Sequence, residues 1–289
     1  MSEFVMVVAG AATNAAIYAL IAFSLVLVYR GSGVINFGVG YVVVFAGIFF
    51  ANTAGSGWVS LGLTVLVGAL LGVATYLLAV RFAERAHASH AALAIATLGF
   101  GLVIEYFGGE LWARQGYTSD ALWPGSVEIA GVSISNQRIF TILMAIACFA
   151  LVILLLERTM LGWMLEAVAF KPSVAGLYGI STIVALVLVW TIAGGVAGLA
   201  GGLMVPLSAV SLPLALGLAI KGFAAAVVGG LGSVSGAAVG AIVVAFAEAF
   251  FIQYVSADYA SLLAFILLFI MIVIRPQGLL GSKREVVRV

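Results

Sequence analysis

The chain has 289 residues, of which 65% are hydrophobic and 8% are charged, and its mean hydropathy is +1.29. Soluble domains carry about 25% charged residues, so 12 basic and 11 acidic side chains cannot cover a water-facing surface of this size, which excludes a soluble enzyme and a disordered tail. The net charge of +1 provides no basic surface for nucleic acid, and the composition is therefore that of a polytopic membrane protein without a nucleic-acid partner.

Nine apolar segments follow one another along the chain, and a membrane-spanning helix needs about 20 such residues. The segments are residues 4–29, 37–51, 59–80, 91–108, 139–156, 182–205, 213–228, 236–255 and 259–274. The first is too long for the core of a signal peptide and is predicted to be a retained helix. Two segments, 37–51 and 213–228, are short, so a broken or re-entrant helix is an alternative to a full span there. The pattern predicts an all-α polytopic bundle of about eight or nine transmembrane helices, forming a single domain over residues 1–289.

A glycine-rich connection, GSGVINFGVG, lies between the first two segments at residues 31–40. Four glycines and an asparagine favour irregular backbone, which survives at membrane depth only where it is buried in protein or lines a cavity. One interpretation places Asn36, Phe37 and Gly38 beside a translocation path. The other is a plain cytoplasmic turn after Arg30.

Two longer polar connections interrupt the apolar pattern. Residues 110–138 contain Trp112 and Trp123, which fit either an interfacial aromatic belt or a docking surface. Residues 157–181 read ERTMLGWMLEAVAFKPSVAGLYGIS, and proline is tolerated at a helix start but not inside one, so we predict two short amphipathic helices on either side of Pro172. The small residues of this segment favour a docking element for a partner, and an interfacial helix on lipid is the alternative.

The basic residues of the short connections are divided unequally between the two sides of the membrane. If every segment spans, Arg114 and Arg138 fall on one side. The other side receives Arg30, Arg81, Arg85, Arg158, Lys171, Arg275, Lys283, Arg284 and Arg288. Because cytoplasmic connections carry the excess of Lys and Arg, we predict a cytoplasmic C-terminus, an outer loop at 110–138 and a cytoplasmic segment at 157–181.

Three ionisable residues lie inside apolar segments, where a charge is costly and indicates function by default. Glu105 is near the outer end of its segment and is expected to reach the interface. Lys221 and Glu248 flank the glycine-rich turn at residues 229–236, so their helices are antiparallel neighbours. Two interpretations follow for them: an ion pair that holds the two helices together, or a polar lining of a translocation path.

Small residues spaced four apart let transmembrane helices approach closely. The sequence has such pairs at Gly68 and Gly72, at Gly194, Gly198 and Gly202, and at Gly236 and Gly240. We therefore expect a tightly packed bundle.

Several kinds of chemistry are not expected from this sequence. The glycine-rich turn at 229–236 has no Gly-Lys-Ser/Thr ending, so the chain is not expected to hydrolyse ATP. Cys148 is the single cysteine, which allows no intrachain disulfide, and the two histidines, His87 and His90, share one short loop. A metal site is therefore not predicted.

Three separated motifs, in the correct order, carry a resemblance to a known family. Residues 35–38 (INFG), 221–236 (KGFAAAVVGGLGSVSG) and 275–281 (RPQGLLG) resemble the signatures of the branched-chain amino acid ABC importer permeases, specifically the LivH branch. Other residues are in register with that family's cytoplasmic coupling segment: Arg158, Gly162, Ala167, Ala169, Ala175, Gly179 and Ile180. Trp163, Glu166 and the pair Phe170-Lys171 depart from the family pattern.

The resemblance implies a type II importer permease in a bacterial cytoplasmic (inner) membrane. Such a permease pairs with a second, homologous permease of the LivM type, and the pathway runs between the two. Two cytoplasmic ATP-binding subunits grip the coupling segments, and a periplasmic or other extracytoplasmic binding protein delivers the substrate. The chain itself then needs no cofactor, because its partners bind the ATP. Members of the family carry branched-chain amino acids, urea, short amides or aromatic acids, so the resemblance leaves the substrate open.

Two sets of residues are predicted to carry these roles. The pathway is expected to include Asn36, Phe37, Gly38, Lys221 and Glu248. The contact with the ATPase is expected to include Arg158, Gly162, Glu166, Ala167, Ala175 and Gly179.

An ion-coupled secondary transporter or channel is the main alternative, since Lys221 and Glu248 would serve as its ion-coupling groups. It accounts neither for the 25-residue cytoplasmic segment with its small residues nor for the three motifs. A membrane scaffold that transports nothing is a third possibility.

Overall fold

The computed structural model describes residues 2–53, 57–112, 114–129, 131–257 and 259–281. Three of the basic residues used to predict orientation, Lys283, Arg284 and Arg288, lie outside these ranges. Within them the chain forms the helices α1 Ser2–Ser32, α2 Val39–Asn52, α3 Gly57–Thr75, α4 Arg81–Arg85, α5 His90–Leu111, α6 Asn136–Arg158, α7 Met160–Phe170, α8 Pro172–Leu177, α9 Thr182–Met204, α10 Leu214–Gly229, α11 Val234–Tyr254 and α12 Ala260–Ile274. A π-helical turn, Tyr76–Val80, joins α3 to α4.

All nine predicted apolar segments are helical. Within the described ranges, six helices are long and apolar enough to cross a membrane: Ser2–Ser32, Gly57–Arg85, His90–Leu111, Asn136–Arg158, Thr182–Met204 and Val234–Tyr254. The two segments predicted to be short form α2 and α10, with 14 and 16 residues. At 1.5 Å per residue they rise about 21 and 24 Å, less than the hydrocarbon thickness of about 30 Å. The fold is therefore a polytopic all-α bundle that contains short helices as well as full spans.

Helix α1 lies at the centre of this bundle. It contacts α2, α6, α7, α9, α10 and α11, and every residue from 15 to 28 is buried. Because α1 is surrounded by other helices, apolar residues occur on all of its faces. This is why its sequence has no amphipathic pattern.

The glycine pairs predicted from spacing lie at helix contacts. A Cβ on Gly68 of α3 would overlap the carbonyl of Gly194 and lie 2.6 Å from the Cα of Gly198, both on α9. A Cβ on Gly240 of α11 would lie 2.5 Å from the backbone nitrogen of Gly229 on α10. The backbones therefore touch directly, as small residues permit in a membrane bundle.

One small β-hairpin interrupts the helices, in the 110–138 connection. Strands β1 (Ser126–Ile129) and β2 (Val132–Ser135) pair in antiparallel register. In the same connection, Tyr117 exchanges two backbone hydrogen bonds with Val210, at 2.8 and 2.9 Å. Val210 lies between α9 and α10 and is fully buried, so this connection anchors the start of α10.

The segment after α12 closes the other end of α10. The N–H groups of Leu279 and Leu280 donate to the carbonyls of Val228 and Gly229, at 2.8 and 2.9 Å. These carbonyls belong to the last turn of α10, where no partner exists within the helix. Two of the three family motifs are thus in direct contact.

Candidate functional site

Polar side chains from α1, α10 and α11 meet near the midpoints of α1 and α10. Lys221 Nζ donates to Glu248 Oε1 at 2.5 Å and to the hydroxyl oxygen of Tyr18 at 3.2 Å. The Tyr18 hydroxyl in turn donates to Glu248 Oε2 at 2.8 Å. The exposed fractions of the Lys221 and Glu248 side chains are 21% and 10%. Both carboxylate oxygens of a nearly buried glutamate therefore have a donor.

This arrangement confirms the ion pair, one of the two interpretations that the sequence left open for Lys221 and Glu248. The third member, Tyr18, was not identified from the sequence. A signal for it did exist, since Asn14 and Tyr18 are polar residues four apart on one face of a largely apolar segment.

A cavity of about 270 Å³ lies next to Lys221. Its wall is built from α1, α6, the end of α9, α10 and the connection between α9 and α10. The polar side chains that line it are Thr13, Asn14, Tyr18, Arg138, Ser208 and Lys221. The apolar ones are Ile17, Met204, Leu207, Leu214 and Leu218. Such a mixture of apolar wall and a few polar groups is typical of a small-molecule site.

The residues predicted for the pathway form two groups, Lys221 with Glu248 and Asn36 with Phe37 and Gly38. Lys221 borders the cavity, whereas Glu248 does not border it and instead holds Lys221 in place. Asn36, Phe37 and Gly38 also do not border it and lie in the connection between α1 and α2.

That connection is irregular and packed inside the protein. Asn36 is 5% exposed, and its Oδ1 has no hydrogen-bond partner among the described residues. The Phe37 N–H donates to Thr97 Oγ1 of α5 at 3.0 Å, and the Phe37 ring meets the Phe223 ring of α10 edge-on at 5.2 Å. A Cβ on Gly38 would lie 2.8 Å from the carbonyl oxygen of Thr97. The structure therefore favours the buried irregular backbone over a plain turn.

The 157–181 segment forms the two predicted short helices, α7 and α8, and Pro172 is the first residue of α8. Large apolar side chains on this segment are exposed: Phe170 is 90%, Leu177 is 86% and Tyr178 is 82% exposed. We call these three residues, together with Trp163, the coupling face, after the role that the resemblance implies for this segment.

The small residues of the segment are divided between its interior and its surface. Gly162 is buried, and a Cβ there would overlap the carbonyl of Leu156 at the corner between α6 and α7. Ala175 is 3% exposed and packs with Val168 and Ala185 in a small apolar cluster. The expectation that Gly162 and Ala175 present a surface to a partner is therefore corrected, because both face the chain itself. Of the other residues predicted for this contact, Ala167 is half-buried, and the exposed ones are Arg158, Glu166 and Gly179.

Comparison with known families identifies the family of this chain. The model of the family described as the permease component of the branched-chain amino acid transport system matches residues 7–272. The chain belongs to this family. It is a permease subunit of an ABC importer, and the secondary transporter or channel considered above is not favoured.

Two relatives extend over almost the whole chain, and a third covers about half of it. The probable branched-chain amino acid transport permease protein LivH of Methanocaldococcus jannaschii is 28% identical, covering 96% of this chain and 92% of its own length. LivH of the high-affinity system of Escherichia coli K12 is 26% identical over 91% of both chains. LivH of Salmonella typhimurium is 33% identical over 54% of this chain and 51% of its own. No solved structure matches.

Membership of this family establishes where the protein is located and what kind of protein it is. It is a multi-pass protein of the inner membrane, and as a transport permease it is not itself an enzyme. It works with other subunits of an ABC transporter. The three motifs predicted this family correctly from the sequence.

Proposed function

We propose that this permease carries branched-chain amino acids or chemically related amino acids. The observation that carries the proposal is the cavity of about 270 Å³ beside Lys221, whose lining combines aliphatic side chains with amide, hydroxyl and cationic groups. An aliphatic amino acid needs both kinds of wall, one for its side chain and one for its charged groups. The names of the relatives, as branched-chain amino acid transport permeases, support the same substrate class.

The pathway runs between this chain and a second, homologous permease of the LivM type. Asn14 supports this arrangement, since it is exposed on α1, between the buried residues Thr13 and Ala15, and borders the cavity. A polar side chain at membrane depth faces protein or a water-filled space rather than lipid. The second permease therefore covers the open side of the cavity.

The predicted pathway residues take two positions in this scheme. Lys221, held by Glu248, forms the floor of the cavity. Asn36, Phe37 and Gly38 form a constriction on its cytoplasmic side. The contact between Phe37 and Phe223 supports this, because Phe223 is two residues beyond Lys221 on α10.

ATP binding and hydrolysis reside on two partner subunits that dock on the coupling face. Large apolar side chains that are exposed outside a membrane span mark an interaction site, and Phe170, Leu177 and Tyr178 are such side chains. The same contact includes the exposed Arg158, Glu166 and Gly179 and the half-buried Ala167, while the buried Gly162 and Ala175 hold α7 and α8 against the rest of the chain. An extracytoplasmic binding protein delivers substrate to the 110–138 loop. The C-terminus is cytoplasmic, on the same side as the coupling face.

Uptake by the reconstituted importer tests the function. Proteoliposomes with both permeases, the two ATPase subunits and the binding protein should accumulate radiolabelled L-leucine when ATP is supplied on the ATPase side. Absence of uptake of every aliphatic amino acid would contradict the proposed substrate class.

A substitution on the coupling face tests the docking of the ATPase. We expect Leu177→Asp to reduce both co-purification of the ATPase and ATP-driven uptake at least tenfold, because a carboxylate has to be desolvated in an apolar interface. Thr118→Asp adds the same charge to an exposed position of the 110–138 loop, which is predicted to face the other side of the membrane, and should leave co-purification of the ATPase unchanged. Wild-type association and uptake in Leu177→Asp would reject this surface.

A further inference from the structure

The cavity beside Lys221 contains a second cation, Arg138, in the first turn of α6. Its Nη1 lies 3.8 Å from the position that a Cβ on Gly10 of α1 would occupy, so the guanidinium lies against a bare stretch of helix backbone. Within the described part of the chain, Arg138 has no acidic partner at ion-pair distance, and Lys221 is the cation that has one. The uncompensated charge of the cavity is therefore that of Arg138.

The remaining lining provides no negative charge to oppose it. Within the described residues no aspartate or glutamate borders the cavity. Its neutral polar groups include the hydroxyls of Thr13 and Ser208 and the side-chain amide of Asn14. An anionic group that enters the cavity therefore meets one free guanidinium and no repelling carboxylate.

We propose that Arg138 binds the carboxylate of the transported molecule. This inference rests on the proposed function and names the residue that recognises the carboxylate, the group that distinguishes an amino acid from its amide. A guanidinium presents parallel N–H donors that match the two oxygens of a carboxylate. The oxygens of Asn14 and Ser208 accept hydrogen bonds from the ammonium group. Ile17, Leu214 and Leu218 provide the aliphatic wall.

Lys221 has a different role in this scheme. Its charge is already neutralised by Glu248, so it offers a substrate carboxylate little net attraction. Arg138 discriminates carboxylates from amides, and Lys221 fixes the shape of the cavity floor.

Protection of a cysteine in the cavity tests this directly. Leu207, which lines the cavity but takes no part in the binding scheme, is changed to cysteine in a Cys148→Ala background. The assembled membrane complex, without the binding protein, is labelled with a small aqueous thiol reagent in the presence of L-leucine or L-leucinamide. We expect L-leucine to protect the introduced thiol at a concentration at least tenfold lower than L-leucinamide does.

Substitutions of the arginine complete the test. Arg138→Gln should raise the half-protecting concentration of L-leucine at least tenfold without raising that of L-leucinamide. Arg138→Lys keeps the positive charge but loses the parallel N–H donors of the guanidinium. It should therefore raise the half-protecting concentration of L-leucine less than Arg138→Gln does. Arg114→Gln removes an exposed arginine of the same loop and serves as the matched control, with no change expected.

The failures of the two proposals are distinguishable. Equal protection by L-leucine and L-leucinamide in the parent protein would overturn the role of Arg138, as would unchanged protection in an Arg138→Gln complex of normal elution volume. ATP-driven uptake of L-leucine by the parent importer is measured separately. If the parent importer takes up L-leucine but L-leucine and L-leucinamide protect equally, only the arginine site is overturned. If the parent importer does not take up L-leucine, the proposed function is overturned.

Discussion

The contact between Tyr18, Lys221 and Glu248 joins three helices through one buried carboxylate. Glu248 as a whole residue is 7% exposed, and an unpaired carboxylate in such a setting is costly because water no longer solvates it. Two donors from two other helices compensate it. The three side chains therefore depend on one another, and each substitution acts on the whole group.

Removal of either charge should destabilise the protein more than removal of both. We expect Lys221→Met or Glu248→Gln to cost about 3–5 kcal/mol, because each leaves the opposite charge buried without a partner. The double variant Lys221→Met/Glu248→Gln should recover much of this loss. Thermal unfolding and the folded yield in size-exclusion chromatography measure the effect. A double variant no more stable than the single variants would show that the pair does not stabilise the fold.

The tyrosine makes a smaller contribution. Tyr18→Phe removes a hydroxyl that donates to Glu248, and a loss of about 1–3 kcal/mol is expected for an unsatisfied buried acceptor. Tyr106→Phe changes a tyrosine that is 58% exposed on α5 and should leave the melting temperature unchanged. Equal melting temperatures for both variants would contradict the role of Tyr18.

The sequence offered the ion pair as one of two interpretations but did not indicate its third member, for a physical reason. Lys221 and Glu248 are separated by one tight turn, so the rise of the two helices fixes their relative heights. Tyr18 lies 230 residues from Glu248 along the chain, and its contact depends on where α1 packs. Arg138 was used as a marker of orientation, and its place in a cavity likewise depends on the packing of α6 against α1.

Among the helical elements, α3 and α9 illustrate how closely this bundle packs. Gly68 and Gly72 of α3 face Gly194 and Gly198 of α9, and the backbones meet without side chains between them. Spacing alone identified these glycines as candidates. Their pairing partner was not predictable, because the same spacing occurs on α11, where Gly236 and Gly240 pack against α10.

One methyl group should be enough to separate these two helices. Gly68→Ala places a Cβ 2.6 Å from the Cα of Gly198, and rigid backbone on both sides has to move, at a cost of about 1–3 kcal/mol. Gly62→Ala, in the same helix, has no atom within 4 Å of the new Cβ and should be neutral or slightly stabilising. Thermal unfolding of both variants makes the comparison. Equal stability would mean that α3 and α9 pack less closely than described.

The short helices α7 and α8 show what a sequence pattern can predict and what it cannot. Their separation at Pro172 was predictable because proline dictates a helix start. The direction in which Ala175 faces was not, because α8 has six residues and small side chains on both of its faces. The large apolar residues of the same segment are the exposed ones, and this exposure is the reason for proposing a partner there.

At the scale of the whole molecule, the orientation in the membrane remains a prediction from the basic residues. Asp120 in the 110–138 connection and Ser173 in α8 are both exposed and lie in segments predicted to face opposite sides. In a Cys148→Ala background, a membrane-impermeant thiol reagent should label Asp120→Cys in intact cells. Ser173→Cys should be labelled only after permeabilisation. The reverse pattern would invert the topology.

The contact between the segment after α12 and the end of α10 has a consequence for the order in which the protein matures. Val228 and Gly229 leave the ribosome roughly fifty residues before Leu279 and Leu280, whose N–H groups cap them. While α11 and α12 insert, the carbonyl groups at the end of α10 therefore lack these two N–H donors. The helix that carries Lys221 acquires its final cap late in biosynthesis. A ribosome stalled before residue 279 would accumulate an intermediate in which α10 is in the membrane but its last two carbonyl groups are not yet capped.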